Sequence, residues 1–288
     1  MSDKMRNLLI RAASGVVLFG IVLGAILWSK WSFAALIMAI IVGGQIEFYR
    51  MAQKAGYYPQ QIMGVASGTL IFIVAFVLMW LLDKNSELDS RYLAITVGLV
   101  LYIILLLPMM FIRELFRKSA TPIANIATSL MGVIYVAMPL SLLLFIPLLL
   151  GNGVWKPWTL LFYIFIIWAN DVFAYLFGIS FGKHRLFERI SPKKSWEGFV
   201  GGLLGAMAMG YVAATIMGGD YIKWIGMALI AAITGVFGDL VESLFKRSVD
   251  VKDSGQVLPG HGGWLDRFDA LLLSVPFAFI YLVICAAR

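Results

Sequence analysis

The chain has 288 residues, of which 61% are hydrophobic and only 14% charged, with a mean hydropathy of +0.90. That composition excludes an ordinary water-soluble domain and points to a protein that uses a bilayer as part of its solvent. One cysteine, Cys285, excludes an internal disulfide, and the net charge of +7 has to be located along the chain before it says anything about partners.

Apolar runs near the roughly 20 residues that an α-helix needs to cross a hydrocarbon core recur at about 8–28, 31–49, 62–82, 92–112, 129–150, 158–180, 198–218, 222–245 and 269–286. Lipid offers the backbone no hydrogen-bond partners, so these runs predict helices rather than strands. The fold class is therefore all-α: a polytopic integral membrane protein with nine transmembrane helices. The first run follows Lys4 and Arg6, but "GAILWSK" at its end offers no small-residue cleavage site, so it is expected to stay as a helix rather than be removed as a signal. Helices 1 to 5 contain few ionisable groups, the main one being Glu47 near the end of helix 2. "DKNSELDSR" (83–91) and "RELFRKSATP" (113–122) read as polar connectors on opposite sides. The character changes near residue 150, which divides the chain into an N-terminal helical half, 1–150, and a half 151–288 whose helices carry polar groups.

Orientation follows from Lys and Arg, which cytoplasmic loops retain. With the N-terminus cytoplasmic and nine alternating helices, seventeen of these residues fall inside and six outside. The outer six are Lys30, Lys84, Arg91, Lys156, Lys223 and Arg288. The positive charge thus reflects topology, and no nucleic-acid partner is needed to explain it.

In helix 6, "WANDVFAYLFG" places Asp171 within an apolar run. An ionised aspartate there costs about 2.5–3.5 kcal/mol on insertion scales unless a partner or a watery cavity faces it. A hydrogen bond to Tyr175 or to a neighbouring helix would meet that need, and so would a reaction site. "FGKHRLFERISPKKSWEG" follows on the cytoplasmic side. Ser191–Pro192 reads as a cap and first turn leading into helix 7, holding Lys193 and Lys194 at the interface. Gly198, Gly201, Gly202 and Gly205 then form a stripe that lets two helix backbones approach.

Asp239, Glu242, Ser243 and Lys246 share one face at the cytoplasmic end of helix 8. Asp239 lies about 10 Å deeper than Lys246 along the axis, so a metal, or a partner from another helix, is expected beside it. An interhelical salt bridge would serve as well. The connector "SLFKRSVDVKDSGQVLPGHGGWLDRFDA" (243–270) gathers Lys246, Arg247, Lys252, Asp253, His261, Asp266, Arg267 and Asp269 into one short stretch. Asp266 and Asp269 begin helix 9, where carboxylates also suit the helix dipole. The backbone of "PGHGGW" is glycine-rich enough to cradle an anion. Carboxylates for a hard cation, amides for phosphate and a set of cations are the parts that phosphoryl transfer uses.

The stretch from Ser243 to Asp269 resembles the signature of the phosphatidate cytidylyltransferases, the CDP-diacylglycerol synthases. The matching positions are Ser243, Lys246, Arg247, Lys252, Asp253, His261, Gly262, Gly263, Asp266, Arg267 and Asp269. "NDVFAYLFG" and "ISPKKSWEG" also resemble segments upstream of the signature in that family, and look closer to its eukaryotic branch. Trp264 departs from the aliphatic residue, Met or Phe usual at its place. The resemblance covers roughly residues 155–288.

It implies an enzyme of phospholipid biosynthesis that makes CDP-diacylglycerol and pyrophosphate from CTP and phosphatidate with Mg²⁺. Potassium is a candidate second cation. It further implies a homodimer in the bilayer, placed in the bacterial inner membrane, with the site open to the cytoplasm. The metal carboxylates fall on Asp239 and Asp266, and Lys252 and Asp171 join them as catalytic candidates. Lys193, Lys194, Ser243, Lys246, Arg247, His261, Gly262, Gly263, Arg267 and Asp269 are the substrate-binding candidates. The residues fit that chemistry, because a phosphomonoester nucleophile is already largely ionised at neutral pH, its second pKa being about 6, and needs no strong base. A transporter of anionic metabolites would also use Asp171 and basic loops, but the repeated halves and broken midplane helices common in transporters are not evident. A CTP-dependent lipid kinase would need the same cations yet transfer the γ-phosphate.

Overall fold

The computed structural model describes residues 3–83, 91–255 and 262–287. Its helices are α1 (Asp3–Trp28), α2 (Lys30–Lys54), α3 (Gln61–Leu82), α4 (Arg91–Phe116), α5 (Pro122–Leu150), α6 (Pro157–Phe181), α7 (Trp196–Met217), α8 (Tyr221–Ser248) and α9 (Leu265–Ala286). A short antiparallel hairpin, β1 (Arg185–Phe187) with β2 (Ser191–Ser195), interrupts them. Among the described residues, α2 to α9 each contain a span long and apolar enough to cross a membrane, and Ser14–Trp28 within α1 is a shorter apolar helix. The protein is an all-α polytopic membrane protein.

Two expectations about local structure change. α5 starts earlier than its apolar run, because Pro122 sits in the first turn, where its missing N–H is no loss. It is not one regular helix. Val133–Ala137 widens into a π turn, Pro139 following at once, and Leu143–Phe145 tightens into a 3₁₀ turn before Pro147. A proline removes the helical hydrogen bond its N–H would have made, and the winding adjusts around it. The cap of α7 is the second change. Ser191–Pro192 is not a cap and first turn; Ser191–Ser195 is extended and pairs with β1. Ser195, with φ −122° and ψ 157°, is the N-cap, and its side chain accepts from Gly198 N at 3.1 Å. An extended backbone accommodates Pro192 on an edge strand, where its missing N–H goes unused.

The chain forms two compact units. One comprises residues 1–144 together with Ser248–Arg267. Its interior is locked by polar side chains that reach backbone carbonyls of neighbouring helices. Gln45, fully buried on α2, donates to Gly64 O at 3.1 Å and Gly132 O at 3.3 Å. The Tyr49 hydroxyl donates to Ser129 O at 2.9 Å, and a Cβ at Gly64 or Gly132 would collide with its ring. Elsewhere Glu114 accepts from Gln60 at 2.8 Å, Asn125 at 2.9 Å and Arg117 at 3.0 Å. Lys30 pairs with buried Asp83 and lies over the Trp80 ring.

The other unit comprises Phe145–Arg247 and Phe268–Arg288. The connector after α8 thus belongs with the N-terminal helices. α6 and α7 are the closest pair in this unit. The glycine stripe makes that possible: a Cβ at Gly198 would meet Ala174 O, one at Gly201 or Gly205 the rings of Phe177 and Phe173, and one at Gly202 the Asn170 carbonyl. Gly238 on α8 does the same for α9, since a Cβ there would press on Asp269 O and Ala270 Cα.

Candidate active site

In the unit built from α6 to α8 and most of α9, the hairpin is fastened before it contributes side chains. Glu197, in the first turn of α7, accepts from Lys183 N at 3.1 Å and His184 N at 3.3 Å, and its Oε1 lies 2.6 Å from His184 Nδ1. Trp196 N donates to His184 O at 2.9 Å. The two strands then hold Arg185, Lys193 and Lys194 beside α6 and α8.

These elements line a half-open cavity of about 600 Å³. Its charged lining is Asp171, Arg185, Lys193, Lys194 and Asp239. Its apolar flank includes Tyr175 and Ile179 of α6, which are 70% and 64% exposed. The lining thus combines charged groups from α6, the hairpin and α8 with exposed side chains of α6 suited to lipid. Lys194 Nζ lies 2.5 Å from Asp239 Oδ2, so the partner beside Asp239 comes from the hairpin and not from another helix. Ser243 Oγ donates to Asp239 Oδ1 at 3.3 Å. One turn further along, Lys246 Nζ lies 2.5 Å from Glu242 Oε2.

The close approach at Gly238 brings α9 in beside α8. Asp239, Glu242 and Asp269 each offer a carboxylate oxygen within 4.8 Å of the others. Three hard oxygen donors at that spacing suit a divalent cation such as Mg²⁺, which takes carboxylates and phosphate oxygens. Asp269 also accepts from Ala270 N at 2.7 Å. Of the expected residues, this unit therefore gathers Asp171, Lys193, Lys194, Ser243, Lys246, Asp239 and Asp269. Arg247 lies in the last turn of α8 and is exposed.

The rest of the signature lies in the other unit. Asp266 Oδ2 accepts from Ser254 N at 2.9 Å, Ser254 Oγ at 2.9 Å and Gly263 N at 2.8 Å, so it fastens the connector to the first turn of α9. Gly262 has φ +81°, a left-handed backbone that favours glycine, and a Cβ there would strike the Asp266 carboxylate. Lys252, Asp253 and Arg267 are exposed. His261 and the preceding Gln256–Gly260 lie outside the described residues, as does most of the 83–91 connector.

Sequence reasoning passed over two residues of the cavity region. Arg185 carried no signal beyond the positive-inside bias, because the hairpin that aims it depends on pairing with β2. Glu242 was recognised on the Asp239 face but not as part of a carboxylate group, since its neighbour Asp269 arrives from α9.

The chain resembles known proteins over nearly its whole length. The sequence profile of the Cytidylyltransferase family matches residues 9–285. A phosphatidate cytidylyltransferase of Rickettsia bellii is 33% identical over 222 residues, covering 69% of this chain and 93% of that protein. That of Synechocystis sp. is 31% identical over 304 aligned residues, covering 95% and 96%. That of Staphylococcus aureus is 45% identical over 126 residues, covering 43% of this chain and 48% of its own length. A membrane protein with the connector signature, the cationic cavity and a family match from residue 9 to residue 285 belongs to the Cytidylyltransferase family.

Proposed function

We propose that this protein is a phosphatidate cytidylyltransferase, forming CDP-diacylglycerol and pyrophosphate from CTP and phosphatidate in phospholipid biosynthesis. The observation that carries this reading is the cavity with two characters: Arg185, Lys193 and Lys194 come to it from the hairpin, and exposed Tyr175 and Ile179 from α6. Such a space suits a substrate whose head is a phosphate and whose tail belongs in the bilayer. A phosphate oxygen of phosphatidate attacks the α-phosphorus of CTP. A new P–O bond forms, the bond between the α-phosphorus and the bridging oxygen to the β-phosphorus breaks, and the electron pair leaves with pyrophosphate.

The main barrier is bringing two anions together, so positioned cations do most of the work. Lys193, Lys194 and Arg185 hold phosphate oxygens in the cavity, and Lys194 exchanges its Asp239 partner for substrate. Ser243, Lys246, Arg247, Lys252, Arg267, Gly262, Gly263 and His261 are proposed as the further substrate contacts, with Asp171 setting the polarity of the cavity wall. Mg²⁺, when bound, supplies charge neutralisation for the triphosphate. The residues proposed to hold it are Asp239 and Asp266, as the family resemblance implies, with Asp269 and Glu242 grouped around Asp239. Potassium is proposed as a second cation at the same carboxylates. The protein is proposed to act as a homodimer in the bacterial inner membrane, N-terminus and site on the cytoplasmic side, with α1 as the ninth crossing.

The test is incubation of the purified protein with phosphatidate, Mg²⁺ and CTP labelled either in the cytidine or at the γ-phosphate. Cytidine label in lipid with release of pyrophosphate is the expected result. The γ-label in lipid would make it a kinase, and neither label in lipid would refute the enzyme reading and favour transport.

A further inference from the structure

Glu47 is only 2% exposed, lies far from the signature in sequence, and is not used by the chemistry above. It sits on α2 four residues after Gly43, on the same helix face. Its two oxygens are taken up by the signature segment. Oε1 accepts from Trp264 N at 3.0 Å; Oε2 accepts from Leu265 N at 3.0 Å and from Ser254 Oγ at 3.0 Å. Trp264 and Leu265 lie at the start of α9, where backbone N–H groups have no helical acceptor. A carboxylate from another helix therefore does what an N-cap side chain does locally, with the added favour of negative charge at a helix N-terminus.

The surroundings are shaped for this contact. A Cβ at Gly43 would overlap the Trp264 indole, and one at Gly44 would press on Leu265. A Cβ at Gly255 or Gly263 would strike the Glu47 carboxylate. Small residues on α2 thus leave a seat for Trp264, the position where this chain departs from the family pattern. Glycines on the connector let its backbone close onto Glu47. Ser254 ties the arrangement together, since its hydroxyl lies 3.0 Å from Glu47 Oε2 and 2.9 Å from Asp266 Oδ2. Two carboxylates, one from α2 and one from the signature itself, thereby share Ser254 as a common donor.

The geometry points to Glu47 as a positioning residue for cytidylyl transfer: it mounts the Gly262–Asp266 turn of the signature on α2. The inference rests on the proposed function, in which that turn contacts substrate. Glu47 touches no reacting atom. Its effect is to keep the glycine amides, Asp266 and Arg267 in one arrangement before substrate arrives, so their order need not be created at the transition state. The N-terminal half of the chain, which carries few ionisable groups in its membrane helices, then has a definite role in the reaction.

The test compares Glu47→Gln, Ser254→Ala and, as a control for loss of a buried carboxylate elsewhere in the same unit, Glu114→Gln. Glutamine keeps the volume of Glu47 but presents an NH₂ to an N–H donor. Amide hydrogen exchange in detergent at residues 263–265 should accelerate about tenfold or more in Glu47→Gln, with α3 unchanged, as expected for loss of a charge-assisted hydrogen bond. Cytidylyl transfer by the same preparation should show kcat lowered about tenfold to a hundredfold. Ser254→Ala, which leaves both backbone donors to Glu47, should move both readouts in the same direction by less. Glu114→Gln should leave exchange at 263–265 unaltered. Unaltered exchange at 263–265 in Glu47→Gln overturns the inference, as does acceleration spread evenly through α2, α3 and α4, which would make Glu47 a general stabiliser. If Glu47→Gln does not fold, Ser254→Ala decides on the same two readouts. If the wild-type chain transfers no cytidine, the proposed function fails by itself, and exchange still decides whether Glu47 mounts the turn.

Discussion

Lys194→Gln separates a structural cation from a functional one. Lys194 and Asp239 are 26% and 39% exposed at their side chains, with 2.5 Å between Nζ and Oδ2. An ion pair that open is screened, and its loss should lower folding stability by at most about 1 kcal/mol. A cation aimed at charge that grows during phosphoryl transfer is worth more, about 2–4 kcal/mol in the transition state. That corresponds to a loss of roughly 30- to 1,000-fold in kcat/KM. The assay is transfer of labelled cytidine from CTP to phosphatidate in mixed micelles, read beside thermal unfolding of the same preparation. Removal of Lys194 should leave unfolding nearly where it was while turnover collapses. A kcat/KM within about threefold of wild type would refute the substrate role and leave Lys194 as a partner for Asp239 alone. Loss of activity fully accounted for by unfolding at the assay temperature would refute it equally.

Asp239→Asn and Asp266→Asn should each lower kcat by about a hundredfold or more and weaken Mn²⁺ binding measured by paramagnetic resonance, while Asp220→Asn, at the exposed start of α8, should change neither. If Asp266→Asn binds Mn²⁺ normally and Asp269→Asn does not, the metal belongs to the Asp239–Glu242–Asp269 group. Phe187→Cys should react with an impermeant thiol reagent only from the cytoplasmic face and Asp220→Cys only from the opposite face; reaction of position 187 from outside would sink the nine-crossing orientation. Gly202→Val should destabilise the protein by about 1–3 kcal/mol, seen as a lower unfolding temperature, because the added side chain meets the Asn170 carbonyl and α6 cannot move aside without losing the glycine stripe.

Hydropathy alone determined the fold class and the place of each helix to within a turn or so at most ends. The physical reason is that a bilayer imposes one length and one polarity on every crossing, so each helix is legible without its neighbours. The connector signature was legible for a related reason: its residues are close in sequence and charged in an apolar chain. What decides contact between distant residues was not legible. Ser191–Pro192 carried the local marks of a helix start, yet pairing with Arg185–Phe187 drew the segment into a strand and moved the cap to Ser195. Asp239 was recognisable as a carboxylate in need of a cation, but only the folded hairpin identified Lys194 as one, and only the backbone approach at Gly238 grouped Asp269 with Glu242 and Asp239. Glu47 is the clearest case. In the sequence it is one carboxylate near a helix end, with nothing to distinguish a snorkelling side chain from a buried one. Its three donors, Ser254, Trp264 and Leu265, lie more than 200 positions away, and no local pattern encodes a hydrogen bond closed by tertiary packing.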